Sequence, residues 1–145
     1  MISVIQRVQK ASVTIENTVY SSITNGLLVL LGIHQNDTIE EVDWMAEKIV
    51  KLRIFEDEDD KMNRSVIDCS GSILLVSQFT LLGDLKKGTR PSFTNAAKPE
   101  TAIPLYESMI QKIMDYEVTT QTGVFGADMK VELINDGPVT IILER

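Results

Sequence analysis

Histidine occurs once in the chain, at position 34, and cysteine once, at position 69. A single cysteine excludes an intrachain disulfide, and a cytoplasmic setting is the simplest reading of that shortage. A Ser-His-Asp or Cys-His arrangement could be built only around His34. That residue ends an apolar stretch with no orienting partner beside it in sequence, so it reads as structural. One histidine and one cysteine also supply too few of the usual zinc ligands. Long hydrophobic runs are missing: the longest, residues 27–33, is far too short to span a bilayer. The first seven residues lack the basic start and long apolar core of a signal peptide. There is no P-loop, no G-x-G-x-x-G and no repeat. Positive charge is scarce, with 14 Lys and Arg against 21 Asp and Glu and a net charge of −7. That balance argues against a protein that holds nucleic acid by bulk charge alone.

The chain of 145 residues is 43% hydrophobic, long enough for one domain over residues 1–145 with its own core. Its most informative stretch is residues 72–93. Ile73-Leu74-Leu75-Val76 has no hydrophilic face, as a strand buried on both sides requires. The segment then turns polar while still extended. Alternation would put Gln78 and Thr80 on one face and Ser77 and Phe79 on the other. Lys86, Lys87 and Arg90 follow in a basic loop. A polar strand end beside cationic side chains suits an anionic substrate, although a solvated loop is the plainer reading of the three charges.

Residues 2–9, 11–16 and 19–24 alternate as strands, and Asn25-Gly26 turns into a second fully apolar strand over residues 27–34. Thr38 with Glu41, or Asp37 with Glu40, has capping-box spacing for a helix whose apolar stripe runs from Ile39 to Val50. The acidic run at residues 56–60 lacks the spacing of a calcium loop and reads as a solvated turn. Residues 65–69 read as a short strand. A second helix is expected over residues 100–116, with Pro104 near its start. Residues 118–125, 129–135 and 139–144 read as closing strands. The order is β-rich with two helices, an α+β class. Asn135-Asp136-Gly137-Pro138-Val139-Thr140 joins the last two strands and by local rules is a hairpin turn.

Ser77-Gln78-Phe79-Thr80-Leu81, taken together with Asn135-Asp136-Gly137-Pro138-Val139-Thr140, resembles the D-aminoacyl-tRNA deacylase family, once called D-tyrosyl-tRNA deacylase. The likeness extends over essentially the whole chain, through Gln6-Arg7-Val8, Ala46-Glu47-Lys48-Ile49, Arg90-Pro91-Ser92-Phe93-Thr94 and Phe125-Gly126-Ala127. It implies a β-barrel-like, antiparallel-rich sheet with two main helices, assembled as a homodimer. It implies a cis Gly137–Pro138 bond that reaches into the partner's site and faces Ser77–Thr80. The substrate would be a D-amino acid esterified to the terminal adenosine of tRNA, with no cofactor or metal.

The N–H groups of Phe79 and Thr80 would stabilise the oxyanion of ester hydrolysis, and Gln78 would orient the adenosine or the ester. Gly137, having no Cβ, would let main-chain carbonyls approach the α-carbon and exclude an L side chain by clash. Arg7 and Asn135 would brace that wall, and Ser77, Phe125 and Met129 would shape the site. Thr80 as a nucleophile would need a base that the sequence does not offer nearby, so positioning of an attacking water is the preferred role. Lys86, Lys87 and Arg90 would contact tRNA, with Thr89 standing where the family often has a second arginine. Two other readings compete: removal of L-alanine from mischarged tRNA, and nucleic-acid binding without chemistry.

Overall fold

The computed structural model describes residues 1–86 and 88–145. In chain order the elements are β1 (Ile2–Ile15), β2 (Thr18–Ile23), β3 (Gly26–Gly32), α1 (Ile39–Lys51), β4 (Phe55–Glu56), β5 (Met62–Arg64) and β6 (Ser72–Ser77). A 3₁₀ turn, Phe79–Leu82, follows, then α2 (Pro99–Met114), β7 (Thr119–Thr122) and β8 (Lys130–Glu144). The long β1 organises the sheet. One of its edges pairs antiparallel with β8. The other is shared, with residues 2–8 on β3 and residues 11–15 on β2. From β3 the sheet continues through two parallel pairings, to β6 and then to β7. Ser21 Oγ on β2 donates to the Thr122 carbonyl on β7 at 2.8 Å, so the two ends of the sheet meet. The result is the α+β class expected, a nearly closed barrel-like mixed sheet with two helices outside it.

The apolar runs in β3 and β6 are explained by a core on each face. Leu27, Val29 and Leu31 join Ile73 and Leu75 in packing against Val42, Met45 and Ile49 of α1 and Tyr106, Met109 and Ile113 of α2. Leu28, Leu74 and Val76 point into the barrel against Val8, Val13 and Ile23. Burying each such side chain contributes roughly 1.5–3 kcal/mol, so the interiors of these two strands are wholly apolar and serines stand only at the two ends of β6. Helix α1 starts at the predicted box: Glu40 N–H donates to Thr38 Oγ1, and Thr38 N–H donates to Glu41 at 2.8 Å.

Four local expectations are corrected. Residues 2–9 and 11–16 form one strand, because β8 pairs across the intervening Lys10. Residues 65–69 are a turn, since the Asp68 carboxylate takes both the N–H and the hydroxyl of Ser65 at 2.7 Å, which closes the backbone locally. The polar stretch after β6 is not extended. The strand ends at Ser77 and residues 79–82 turn, with Leu81 N–H donating to the Gln78 carbonyl at 3.2 Å and Gly83 N–H to the Thr80 carbonyl at 3.1 Å. Finally, residues 135–140 are not a hairpin. Both flanks belong to β8 and pair with β1 in the same direction, Asn135 opposite Val8 and Thr140 opposite Gln6. The four residues between them bulge out of the ladder.

Candidate active site

The ladder of β6 finishes when Gln78 N–H donates to the Leu31 carbonyl at 2.7 Å. The chain then enters its 3₁₀ turn, whose first N–H groups have no acceptor within the turn. Among the described residues, neither Phe79 N–H nor Thr80 N–H donates to another backbone carbonyl. Of these two adjacent donors, that of Phe79 belongs to a residue lining a cavity of about 310 Å³, and that of Thr80 follows it in the turn just outside that lining. Ser77, Gln78 and Phe79 form one wall, Phe125, Gly126, Ala127 and Met129 the other, and Leu31, Ile33 and Val76 line the base.

Gln78 Nε2 donates to Thr80 Oγ1. That bond occupies a lone pair of the hydroxyl and leaves its proton free to be given away. Among the described residues no carboxylate or imidazole accepts from Thr80, so nothing there activates it as a nucleophile. Leu75, next to the cavity-lining Val76, is tied to its neighbours by two hydrogen bonds. Tyr106 on α2 donates its hydroxyl to the Leu75 carbonyl at 2.8 Å, and Gly123 N–H donates to the same oxygen at 2.9 Å. Burial pushes the Tyr106 phenol far above its ordinary value, which keeps it a donor. Its ring lies 6.0 Å from that of Phe125. A Cβ at Gly123 would stand 2.6 Å from Met129 Sδ, so the absent side chain seats the methionine.

The second group of sequence-predicted residues gathers around the β8 bulge. Gly137 and Pro138 are exposed, their peptide bond is cis, and Gly137 has φ +116°. Arg7 lies buried beneath them. Its Nε donates to the Asp136 carbonyl at 3.2 Å, its Nη1 donates to the Ile54 carbonyl at 2.7 Å, and its Nη2 stands 3.5 Å from Glu56. A Cβ on Gly137 would lie 2.8 Å from Arg7 Nη2 and 2.8 Å from Val139 Cγ2. Asn135 closes the neck of the bulge, its Oδ1 accepting from Val139 N–H at 3.1 Å.

The two groups do not meet within one chain. Arg7 pairs with Leu27 at the start of β3, whereas Ser77 pairs with Leu31. Four residues of strand separate them by about 13 Å. The cavity is therefore lined by Ser77, Gln78, Phe79, Phe125 and Met129, while Gly137, Pro138, Arg7 and Asn135 stand apart from it.

The basic loop is pinned at its base by a bridge between Asp84 and Ser92. Lys86 and Arg90 are exposed, and among the described residues neither is in an ion pair. Lys87 lies outside the described residues. His34 is away from the cavity, with Nδ1 accepting from Asn36 N–H. Among the described residues no group of three or more His, Cys, Asp or Glu could hold a metal ion. No helix among them is long and apolar enough to cross a membrane. Sequence reasoning passes over two residues that support the site, Gly123 and Tyr106. A glycine just before the Phe125 segment is the available signal for Gly123. Tyr106 falls on the apolar stripe of its helix and has the pattern of ordinary core.

The barrel-like α+β fold is shared with known structures. A solved c-Myc DNA unwinding element binding protein superposes with TM-score 0.94, at 44% identity over 100% of this chain and 99% of that one. A solved probable eukaryotic D-amino acid tRNA deacylase, only 15% identical, has the same fold at TM-score 0.84, covering 98% of this chain and 97% of its own. In sequence, the chain is 55% identical to a D-aminoacyl-tRNA deacylase of Exiguobacterium sibiricum over 142 residues, 98% of each. The chain belongs to the D-Tyr-tRNA(Tyr) deacylase family, whose model matches residues 4–144.

Proposed function

We propose that this protein hydrolyses the ester joining a D-amino acid to the terminal adenosine of tRNA, releasing the free D-amino acid and reusable tRNA. The observation that carries the reading is the pair of adjacent N–H donors of Phe79, which lines the cavity, and Thr80, next to it in the turn, neither with a backbone acceptor among the described residues, in a chain of this family. Water adds to the ester carbonyl, and the oxyanion that forms lies against those two donors. As the tetrahedral intermediate collapses, the bond to the ribose oxygen breaks. The neighbouring ribose hydroxyl relays the proton from the attacking water to the departing oxygen. Gln78 and Thr80 orient the ester, and Ser77, Phe125 and Met129 shape the cavity around it. The chemistry needs no metal or cofactor, and the cytoplasm is where its substrate is made.

Handedness is read by the bulge. Because the strand register offsets Arg7, which lies beneath Gly137, from Ser77 by about 13 Å along the sheet, the wall is supplied by a second copy. The active species is a homodimer, with each Gly137–Pro138 facing the Ser77–Thr80 segment of its partner. Main-chain carbonyls approach the α-carbon where no Cβ intervenes. An L side chain would be driven into that wall, and a D side chain turned away from it. Arg7 and Asn135 hold the wall in place, and Lys86, Lys87 and Arg90 meet the tRNA backbone.

The test is deacylation of matched D- and L-tyrosyl-tRNA by wild type and by Gly137→Ala. Wild type is expected to clear only the D-ester. The variant, lacking room for a Cβ beside Arg7 and Val139, is expected to lose about 100-fold in turnover, as a small displacement of a positioning group does. Equal hydrolysis of both esters by wild type would contradict the reading.

Nucleic-acid binding without chemistry is a second reading, favoured by the 44% identity to the DNA unwinding element binding protein. A gel shift with uncharged nucleic acid, beside the deacylation assay, separates the two.

A further inference from the structure

Residues 136–139 leave the ladder between two fixed points, and their two legs are held differently. The leading leg is gripped through Asp136, whose carbonyl accepts from Arg7 Nε at 3.2 Å and whose carboxylate accepts from Gln9 Nε2 at 3.1 Å. Among the described residues, no cation donates to the trailing leg. Its anchor is a chain of neutral hydrogen bonds: Val139 N–H donates to Asn135 Oδ1 at 3.1 Å, and Asn135 Nδ2 donates to Thr140 Oγ1 at 3.0 Å. Gln6 Nε2, from the β1 residue opposite, donates to the same hydroxyl at 3.3 Å. Thr140 Oγ1 has two lone pairs, and both are taken. Among the described residues it is the acceptor that Gln6 on β1 and Asn135 across the neck share.

We infer that Thr140 is a specificity-determining positioning residue: its hydroxyl locks the Asn135 amide, which in turn fixes the trailing leg and the approach of the Gly137 main chain to the α-carbon. The inference rests on the proposed reading of handedness by the bulge. The geometry also explains why the hydroxyl can be deleted without unfolding the chain. Thr140 is exposed and the amides of Gln6 and Asn135 are half-buried, so both amides can turn to water when the acceptor is lost, and no buried polar group is stranded. The cost falls on the position of the wall.

The experiment compares Thr140→Val, which keeps the shape and removes the acceptor, with Thr140→Ser, which keeps the acceptor. Rates on matched D- and L-tyrosyl-tRNA give kcat and KM for each, and amide exchange at Val139 reports the anchor directly. Thr140→Val is expected to lower the D-over-L preference in kcat/KM by about ten-fold or more, with KM for the D-ester little changed. Val139 exchange should quicken by a similar factor. Thr140→Ser should behave as wild type in both. Asn135→Ala, which removes the anchor from its other end, should match Thr140→Val. An unchanged preference in Thr140→Val or Asn135→Ala, or an equal loss in Thr140→Ser, overturns the inference. The two failures separate cleanly. Wild type that clears neither ester refutes the proposed function, whereas Val139 exchange unaltered by Thr140→Val refutes the anchor whatever the activity.

Discussion

Gly137 occupies a space in which no β-carbon fits, and its positive φ is one that L side chains rarely adopt. A wall made of main chain can reject only what projects into it. Glycine presents nothing to clash on either side of its α-carbon, so glycyl-tRNA is expected to be hydrolysed at a rate comparable to D-tyrosyl-tRNA. Protein that clears the D-ester and spares glycyl-tRNA, at equal enzyme, would show that handedness is sensed by something other than exclusion. At the same scale, the neighbours of Thr80 explain its part. A hydroxyl that accepts from Gln78 and that, among the described residues, gives its proton to no base is equipped to donate a hydrogen bond, and poorly equipped to attack.

Among the elements, the turns on either side of β5 contribute to how the fold meets acid. Asp68 accepts from the N–H and hydroxyl of Ser65, and these bonds hold its carboxyl below the ordinary value of 3.8. Asp57 is lowered likewise by Asn63, Lys61 and Asp59. A carboxylate whose pKa is depressed by folding contributes stability that is fully present above the unfolded value. That stability is lost as pH falls through the folded one. Thermal midpoints of the wild type are therefore expected to fall as pH drops below about 4. In Asp68→Asn the fall should be shallower. Parallel acid limbs in the two proteins would show that the Ser65 turn carries no such linkage.

The elements also show what can be read from sequence. Strands β3 and β6 and the Thr38 cap are legible because each depends on side chains close in the chain or on uniform burial. The bulge at residues 136–139 is not. Asn, Asp, Gly and Pro favour a turn wherever they cluster, and only the pairing of both flanks with β1, more than a hundred residues away, turns that signal into a bulge. The 3₁₀ turn after Ser77 escapes for a related reason. Residues 77–80 have the pattern of more strand until the ladder runs out at Leu31. The site residues themselves come from two short motifs whose meaning rests on a family likeness, and Tyr106, outside both, gives no local sign of its hold on Leu75.

For the whole molecule, the proposal turns on two groups of residues that one chain holds apart and that a second copy would bring together. The cavity lies beyond the end of β6, and the Gly137 wall lies near the other end of β3. Completion by a second copy makes a prediction that no single-chain site shares. Phe79→Pro removes one of the two N–H groups proposed to meet the oxyanion, at a position where a turn accepts proline, and Gly137→Ala spoils the proposed wall. Each variant alone is expected to retain about a hundredth of the wild-type activity on D-tyrosyl-tRNA, or less. When the two are unfolded, mixed in equal amounts and refolded together, half the dimers are mixed, and each mixed dimer has one site with an intact rim and an intact wall. Activity should then return to about a quarter of the wild-type value. A mixture no more active than its components would mean that each chain builds its own site, which contradicts a wall borrowed from the partner.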